Sequence, residues 1–147
     1  RFERYGETVS FLMTDVDHFK HVNDTYGHRL GDRVLVTISR VLTEQARASD
    51  VVARYGGEEF AILAPGVDVD GAVRLAERSR QCIERSATDT GDQPLHVTSS
   101  FGVADTASAA TPEALIEAAD QALYAAKTGG RNRVERYQGE SLPAGAT

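Results

Sequence analysis

The stretch Arg54-Tyr55-Gly56-Gly57-Glu58-Glu59-Phe60 interrupts a pattern that otherwise predicts a β-hairpin. Short apolar runs flank it, at residues 51–53 and at residues 60–63. Glycine lets backbone N–H groups approach a phosphate, or adopt positive φ, without a Cβ clash. Two carboxylates beside such a turn, together with a second acidic pair at Asp15 and Asp17, indicate a site for a metal ion and a triphosphate. A plain polar hairpin tip is the alternative.

Composition restricts the class of protein. The 147 residues fit one domain that can bury a hydrophobic core. An apolar fraction of 41% and a charged fraction of 26% are typical of globular domains. The net charge of −6 argues against a general surface for a nucleic-acid polymer, which would be strongly basic. A nucleotide whose phosphates are neutralised by a metal ion remains compatible with this charge.

Cysteine use and hydropathy bear on the compartment. Cys82 is the only cysteine, so no intrachain disulfide can form, and a reducing cytoplasm is expected. No run approaches the roughly 20 apolar residues that cross a bilayer, and no signal peptide opens the sequence. A membrane tether is therefore expected only in a part of the protein outside this sequence.

Hydrophobic periodicity predicts the order strand, helix, helix, hairpin, helix, strand, helix, strand. The first strand covers residues 8–16, and Asp17 is expected to cap a short helix that starts at His18. The other predicted elements are helices over about 30–46, 69–85 and 112–128 and strands over 51–53, 60–63, 95–104 and 134–137. This mixture predicts an α+β fold, with a mostly antiparallel central sheet and helices packed on both faces. Residues 138–147 are expected to form a disordered tail.

Further segments accompany the turn, in order and at consistent separations. They are Asp15-Val16-Asp17-His18-Phe19-Lys20, Asn23-Asp24-Thr25-Tyr26-Gly27-His28, Gly31-Asp32, and Ala125-Ala126-Lys127 followed by Gly130-Arg131-Asn132. With these segments, the chain resembles a GGDEF domain, the catalytic module of bacterial diguanylate cyclases, over about residues 9–137. The resemblance implies a nucleotidyl-cyclase, palm-like fold with a ferredoxin-like core, assigned to residues 1–137. It also implies that a helix before the first strand is truncated at Arg1 and that a sensor domain lies upstream.

The resemblance implies an activity and a metal site. Two GTP molecules, each held by one subunit of a homodimer, would condense to cyclic di-GMP and two pyrophosphates. Asp15 and Glu58 would bind Mg²⁺ or Mn²⁺ through their carboxylates, and Val16 through its backbone carbonyl; hard oxygen ligands suit these ions. Glu59 would complete a catalytic group with Asp15 and Glu58, or orient the turn. For Asp15, a strand-end residue that caps the next helix is the alternative.

The resemblance also implies a GTP site. Asn23 and Asp32 would read guanine, since a carboxylate accepts hydrogen bonds from guanine N1–H and N2 that adenine cannot donate. Cations near a helix C-terminus are also expected on dipole grounds, which is the alternative for Lys127. The full set of expected GTP-binding residues is Asn23, Asp32, Phe19, Lys20, Gly56, Gly57, Lys127 and Arg131.

Arg47-Ala48-Ser49-Asp50 lies five residues before the glycine pair and matches the product-inhibition motif of the family. Arg47 and Asp50 would bind cyclic di-GMP away from the catalytic turn, because arginine can clamp a phosphate or stack on guanine. Arg80 is the expected supporting arginine, and Arg78 is its rival. The leading hypothesis is an active diguanylate cyclase. A catalytically silent domain that senses cyclic di-GMP or GTP, or that only dimerises, is the alternative.

Overall fold

In the computed structural model, which describes residues 7–139, a central sheet has helices packed on both of its faces. In chain order its elements are β1 (Val9–Val16), α1 (Phe19–Tyr26), α2 (His28–Gln45), β2 (Val51–Arg54), β3 (Glu59–Pro65), α3 (Val69–Arg85), β4 (Ser99–Asp105), α4 (Pro112–Thr128) and β5 (Val134–Arg136). The predicted order of strands and helices is confirmed. No helix within the described residues is long and apolar enough to cross a membrane.

The five strands lie in the order β2-β3-β1-β4-β5. Strand β1 is central and runs antiparallel to both β3 and β4, and β2 and β3 form the predicted hairpin. Only β5 pairs in parallel, along the edge of β4. The predicted α+β class and the mostly antiparallel sheet are confirmed. The glycine turn between β2 and β3 therefore lies at the end of the sheet where β1 finishes.

Two apolar layers hold the helices on the sheet. Helices α1, α2 and α3 cover one face, and their side chains form a core with residues such as Leu12, Ile62 and Phe101. Helix α4 covers the other face through a stripe of small residues packed on Phe11 and Met13. Burial of this apolar surface is the main favourable contribution to folding.

Gly102 explains why α4 is rich in alanine. A Cβ atom at this position would lie 2.2 Å from the Leu123 backbone nitrogen and 2.3 Å from the Ala119 carbonyl oxygen. The helix backbone therefore rests directly on β4, and only small side chains fit between them. This close packing fixes the position of the C-terminal end of α4, which carries Lys127.

Two element starts differ from the predictions, and the start of α4 agrees with its prediction. Asp17 is not a helix cap: α1 begins at Phe19, and its N-cap residue, His18, makes no side-chain cap bond. Strand β4 starts at Ser99 instead of Leu95, because Leu95 pairs with Thr88 in an isolated bridge. Helix α4 begins with the predicted Pro112, at a position where the missing N–H costs no hydrogen bond. The helix expected before β1, at residues 1–6, and residues 140–147 of the expected tail lie outside the described residues.

Candidate active site

The glycine pair is held by Arg54, which lies two residues before Gly56. The Arg54 guanidinium donates hydrogen bonds to the carbonyl oxygens of Gly56 and Gly57, with Nε at 3.2 and 3.1 Å from them. It also lies over the Phe60 ring, 5.7 Å from the ring centre, at a distance where a cation–π attraction operates. Neither Gly56 nor Gly57 has positive φ, and a Cβ on Gly57 would meet nothing within 4 Å. The space above Gly57 is thus open, and hairpin geometry does not require a glycine there.

Carboxylates gather where β1 meets this turn. Asp15 pairs directly with Glu59 across the β1–β3 ladder, and the Val16 N–H donates to the Glu58 carbonyl oxygen at 3.4 Å. The Asp15 residue is only 4% exposed. One of its oxygens, Oδ2, accepts a hydrogen bond from the Lys127 ammonium. The other, Oδ1, is buried and has no hydrogen-bond partner among the described residues.

The pKa values of both glutamates of the turn are raised. Burial raises the pKa of Glu58, and the adjacent Asp15 carboxylate adds to this effect. Burial and Asp15 also raise the pKa of Glu59, with a smaller contribution from Asp120 on α4. Lys127 opposes both shifts. The cluster therefore has more negative charge than its one ammonium partner compensates, which favours the binding of a cation.

The donor set fits a hard divalent cation. A buried carboxylate oxygen without a partner is costly unless something else satisfies it, and Asp15 Oδ1 is such an atom. The Glu58 carboxylate lies next to it. Residues 7–139 contain no ready-made group of three or more His, Cys, Asp or Glu side chains. This agrees with Mg²⁺, which binds through one or two carboxylates and takes its other ligands from substrate phosphates and water.

The expected guanine-reading residues lie on facing helices. Asn23 on α1 packs against Gly31 on α2, where an added Cβ would come within 1.9 Å of the Asn23 Oδ1 atom. That oxygen is buried and unpartnered within the described part of the chain. Asp32 follows Gly31 and is exposed. It lines a groove of about 320 Å³ together with Arg54 and Phe60 of the hairpin.

The other expected phosphate and nucleotide contacts are more dispersed. Lys20 is exposed on α1, where its ammonium pairs with Asp24 at 2.8 Å. Phe19 has its side chain buried in the core, which leaves only its backbone for a ligand. Arg131 lies in the turn after α4 and is exposed. Of the three expected cations, Lys20, Lys127 and Arg131, Lys127 is the one that contacts the carboxylate cluster, through Asp15.

The expected inhibitory pair, Arg47 and Asp50, lines a pocket of about 480 Å³. This pocket lies at the open end of the β2–β3 hairpin, away from the turn that joins the two strands. Asp50, whose side chain is fully buried, accepts hydrogen bonds from the Arg47 backbone N–H at 2.7 Å and from its guanidinium at 2.9 Å. Arg74 and Arg78 of α3 line the same pocket.

The expectation that Arg80 supports Arg47 and Asp50 is wrong. The Arg80 guanidinium is bound to Glu77, to Glu84 and to Asn132 of the turn after α4, outside the pocket. Arg78, the rival, is the one that lines it. Two residues along a helix differ by about 200° in direction, so the two arginines point to different sides of α3.

Sequence reasoning missed two residues of the site. Arg54 lies two and three residues before the glycines whose carbonyl oxygens it binds. This short separation in sequence could have indicated that its side chain reaches back over the turn. Asp120 is near enough to Glu59 to raise its pKa, but nothing in the sequence connects positions 59 and 120.

Comparisons with known proteins agree with this architecture. The sequence profile described as diguanylate cyclase, GGDEF domain, matches residues 1–133. Response regulator PleD of Caulobacter vibrioides (strain NA1000 / CB15N) is 45% identical over 132 residues, which cover 88% of this chain and 29% of PleD. Diguanylate cyclase A of Treponema denticola is 42% identical over 132 residues, which cover 87% of this chain and 35% of that protein. The chain thus spans about a third of the length of these two relatives.

Solved structures share the fold. The GGDEF domain of DgcB from Caulobacter crescentus, in complex with c-di-GMP, has a TM-score of 0.87 at 34% identity, covering 92% of this chain and 81% of that chain. The active GGEEF domain of a diguanylate cyclase from Vibrio cholerae has a TM-score of 0.86 at 33% identity, covering 92% of this chain and 86% of that one. The palm-like α+β fold is therefore confirmed. With its profile match, its relatives above 40% identity and these structures, the chain belongs to the GGDEF domain family.

Proposed function

We propose that this domain is a diguanylate cyclase, which condenses two GTP molecules into cyclic di-GMP and two pyrophosphates. The observation that carries the proposal is the buried, unpartnered Oδ1 of Asp15, placed beside Glu58 and Lys127 at the turn that carries Gly57. Relatives of this chain are named diguanylate cyclases, and one structural neighbour holds c-di-GMP. The intact acidic cluster argues against a silent sensor, which needs no charged metal site.

Asp15 and Glu58 would hold Mg²⁺, with the Val16 carbonyl as a third protein ligand. When bound, such an ion neutralises phosphate charge and stabilises the developing charge on the attacking and leaving oxygens. The protein residues position the nucleotide. Gly57 leaves room for the triphosphate to approach the backbone, while Lys127 and Arg131 supply positive charge on its other side. Positioning and charge neutralisation are the main demands of phosphoryl transfer.

Each domain would hold one GTP, so the reaction requires two copies of the chain. The 3′-hydroxyl of one nucleotide attacks the α-phosphorus of the other, the bond from that phosphorus to the bridging oxygen of pyrophosphate breaks, and the hydroxyl proton leaves to solvent. Repetition in the opposite sense closes the ring. A homodimer with its two turns facing each other is therefore the proposed active species, and an upstream sensor domain would bring the copies together.

Guanine selectivity is assigned to Asp32, with Asn23 as its partner on the facing helix. The Asp32 carboxylate is exposed in the groove beside Phe60 and free to accept from N1–H and N2 of a guanine. Asp32→Ala should reduce the preference for GTP over ATP by about tenfold or more, because the guanine edge loses its acceptor. Competition of unlabelled GTP and ATP against a fluorescent GTP measures this preference. Unchanged selectivity would remove Asp32 from base recognition.

Product control is proposed at the pocket of Arg47, Asp50 and Arg78. The Asp50 carboxylate keeps the Arg47 side chain in place and raises the pKa of Arg47, through the hydrogen bond between them. The Nε and Nη2 groups of Arg47 donate to Asp50 and to the Pro65 carbonyl, so within the described residues its Nη1 group is the one left to donate to a phosphate. Two arginines beside an acceptor suit a cyclic dinucleotide, which offers both phosphates and guanine edges.

The experiment that tests the activity is incubation of the chain with GTP and Mg²⁺, followed by identification of the product by mass spectrometry. Because the isolated domain has to dimerise, the same chain fused to a leucine zipper is assayed in parallel. Cyclic di-GMP formed by the fusion, and lost in its Asp15→Asn variant, is the expected result. A fusion that binds GTP or cyclic di-GMP but forms no product would favour the sensor function.

A further inference from the structure

Asp17 uses its carboxylate to connect three separate segments. Its Oδ1 accepts a hydrogen bond from the Ser100 hydroxyl at 2.7 Å. Its Oδ2 accepts from the Thr98 hydroxyl at 2.7 Å and from the Asn132 backbone N–H at 3.0 Å. The residue is buried, and the three donors are 81, 83 and 115 positions away in sequence. Asp17 thus ties the end of β1 to the start of β4 and to the turn after α4.

The turn that Asp17 holds has an unfavourable backbone conformation. Gly130, Arg131 and Asn132 all have positive φ, at 127°, 64° and 49°. Glycine adopts such angles freely and asparagine tolerates them, whereas arginine does so only when the surrounding structure requires it. The backbone of the turn is held by the hydrogen bond of the Arg131 N–H to the Ala126 carbonyl. The Asn132 N–H donates to Asp17 at 3.0 Å and also lies 3.2 Å from the Ser100 hydroxyl oxygen.

The strained turn separates the two proposed triphosphate cations. Lys127 lies before it, in the last turn of α4, where it pairs with Asp15. Arg131 lies four residues later, within the strained turn itself. Among the described residues, Arg131 takes part in hydrogen bonds only through its backbone, so its guanidinium is available to a ligand. The direction in which this guanidinium points is set by the backbone of the turn rather than by side-chain contacts.

We propose that Asp17 is a positioning residue for triphosphate binding, which holds the turn of residues 130–132 in its left-handed conformation and so directs Arg131 at the nucleotide. This inference rests on the proposed function, because it takes Arg131 as a phosphate contact. The two aspartates of Asp15-Val16-Asp17 then have separate tasks. Asp15 serves the cation, and Asp17 serves the turn that carries the arginine.

A second tether supports the same turn from its other side. The Asn132 side chain accepts a hydrogen bond from Arg80 at 2.8 Å and donates one to Glu84 at 3.1 Å, both on α3. The Arg80 bond is partly buried and the Glu84 bond is exposed, and both reach only the Asn132 side chain. The Asp17 carboxylate belongs to a buried residue and binds the backbone N–H of the turn directly, with a charge-assisted hydrogen bond. Asp17 is therefore the main determinant of the turn, and Arg80 is a subsidiary one.

The test measures the dissociation constant for 3′-deoxy-GTP with Mg²⁺, by calorimetry, because this analogue lacks the attacking hydroxyl and cannot condense. Asp17→Ala should weaken binding about tenfold or more, by freeing the turn. Asp17→Asn should restore binding to within about threefold, since its amide oxygen still accepts from the Asn132 N–H and the Thr98 hydroxyl, and the Ser100 hydroxyl can rotate to accept from its NH₂. In an Arg131→Ala background, Asp17→Ala should add less than about twofold, because the residue it positions is already gone.

Two outcomes would overturn the proposal. One is a double variant whose loss of affinity for the analogue equals the product of the losses in Asp17→Ala and Arg131→Ala. The other is an Asp17→Ala variant that binds the analogue as tightly as the wild type does. If circular dichroism shows that Asp17→Ala is unfolded, Ser100→Ala replaces it. This change removes one donor to Asp17 and the second acceptor of the Asn132 N–H. It should weaken binding about threefold, again only when Arg131 is present; no weakening counts against the proposal. Failure of the wild type to make cyclic di-GMP overturns the activity alone, since analogue binding is read separately. Absence of analogue binding in the wild type overturns both.

Discussion

Asp15 and Glu59 lie directly opposite each other on the adjacent antiparallel strands β1 and β3. Like charges in such cross-strand positions destabilise a sheet. Glu58, one residue away, adds a third carboxylate, and Lys127 is the cation that contacts the cluster. The site is therefore less stable than an ordinary strand end, and a bound cation relieves part of that cost. Stability measurements can thus report on the site without any assay of product.

Lys127→Met is expected to lower the free energy of unfolding by about 2 kcal/mol at pH 7 in the presence of EDTA, because Asp15 loses a charge-assisted hydrogen bond. Saturating Mg²⁺ should stabilise the variant more than it stabilises the wild type, since the ion then replaces the missing charge. Denaturant unfolding with and without Mg²⁺ measures both effects. Lys20→Met is the matched control, because Lys20 is an exposed lysine outside the cluster. Equal Mg²⁺ stabilisation of all three proteins would contradict a metal site at Asp15.

Glu58→Gln should reduce turnover by about 100-fold or more, because a ligand charge is lost from the metal site. The same change should increase the stability of the fold when no metal ion is bound. Burial and Asp15 raise the pKa of Glu58 above its unfolded value, so the stability linked to this group is fully present at acidic pH and is lost as the pH rises through the raised pKa. The variant should therefore melt about 2 °C higher than wild type at pH 7 in EDTA, and at the same temperature near pH 4.

Mg²⁺ provides the control for this pH dependence. It should raise the melting temperature of the wild type and leave that of Glu58→Gln nearly unchanged. A variant that is less stable than wild type at pH 7 in EDTA would show that Glu58 stabilises the turn, and that the charge argument fails.

Gly57→Ala should leave the fold intact and abolish GTP binding. Gly57 does not need positive φ, and the added methyl group meets no protein atom, so unfolding should change by less than about 0.5 kcal/mol. The methyl group would instead occupy the open space through which the triphosphate approaches the backbone. Gly102→Ala is the contrasting variant: it clashes with the backbone of α4 and should cost about 1–3 kcal/mol or more. Wild-type GTP affinity in Gly57→Ala would show that the turn glycine serves only the hairpin.

The elements followed from local patterns, because alternating or helical apolar spacing determines which face of each element is buried. The gathering of Asp15, Glu58 and Lys127 agrees with the roles that the family resemblance implied. The hydrogen bonds of Asp17 could not be predicted from the sequence, because its donors lie 81 to 115 residues away and no local pattern connects them. Local reasoning therefore gave it the nearest available role, a helix cap. For the same reason Asp120 could not be connected with Glu59.

Whether Arg78 or Arg80 lines the Arg47 pocket depends on the rotation of α3 about its own axis. The local sequence does not determine this rotation. Both residues lie on α3 among buried positions, with Ala76 before them, Ser79 between them and Ile83 after them. Which of them reaches the Arg47 pocket depends on how α3 docks against α2, and that is set by packing across the whole face of the sheet. In the structure Arg78 lies within hydrogen-bonding distance of Gln45, the last residue of α2, with Nε 3.4 Å from its Oε1.

This difference leads to a paired prediction about product inhibition. Arg78→Ala should weaken cyclic di-GMP binding at the Arg47 pocket by about tenfold or more, because a charge-assisted contact worth about 1.5–3 kcal/mol is lost. Arg80→Ala, two residues away on the same helix and with the same change of charge, should leave that affinity within about twofold of wild type. Its guanidinium is committed to Glu77, Glu84 and Asn132, so its loss acts on the turn after α4 instead.

Calorimetric titration of cyclic di-GMP into each variant, with initial rates of GTP turnover at increasing product, separates the two arginines. Arg47→Ala serves as the positive control, since it removes the clamp itself and should relieve inhibition while turnover persists. Arg78→Ala should likewise keep turnover and lose inhibition, because Arg78 lies on α3 and contacts none of the three carboxylates at the turn. Arg80→Ala should keep inhibition. If Arg80→Ala relieves inhibition and Arg78→Ala does not, the product contacts the α3 surface around Arg80, and the pocket of Arg47 and Asp50 is only the end of α2 joined to β2.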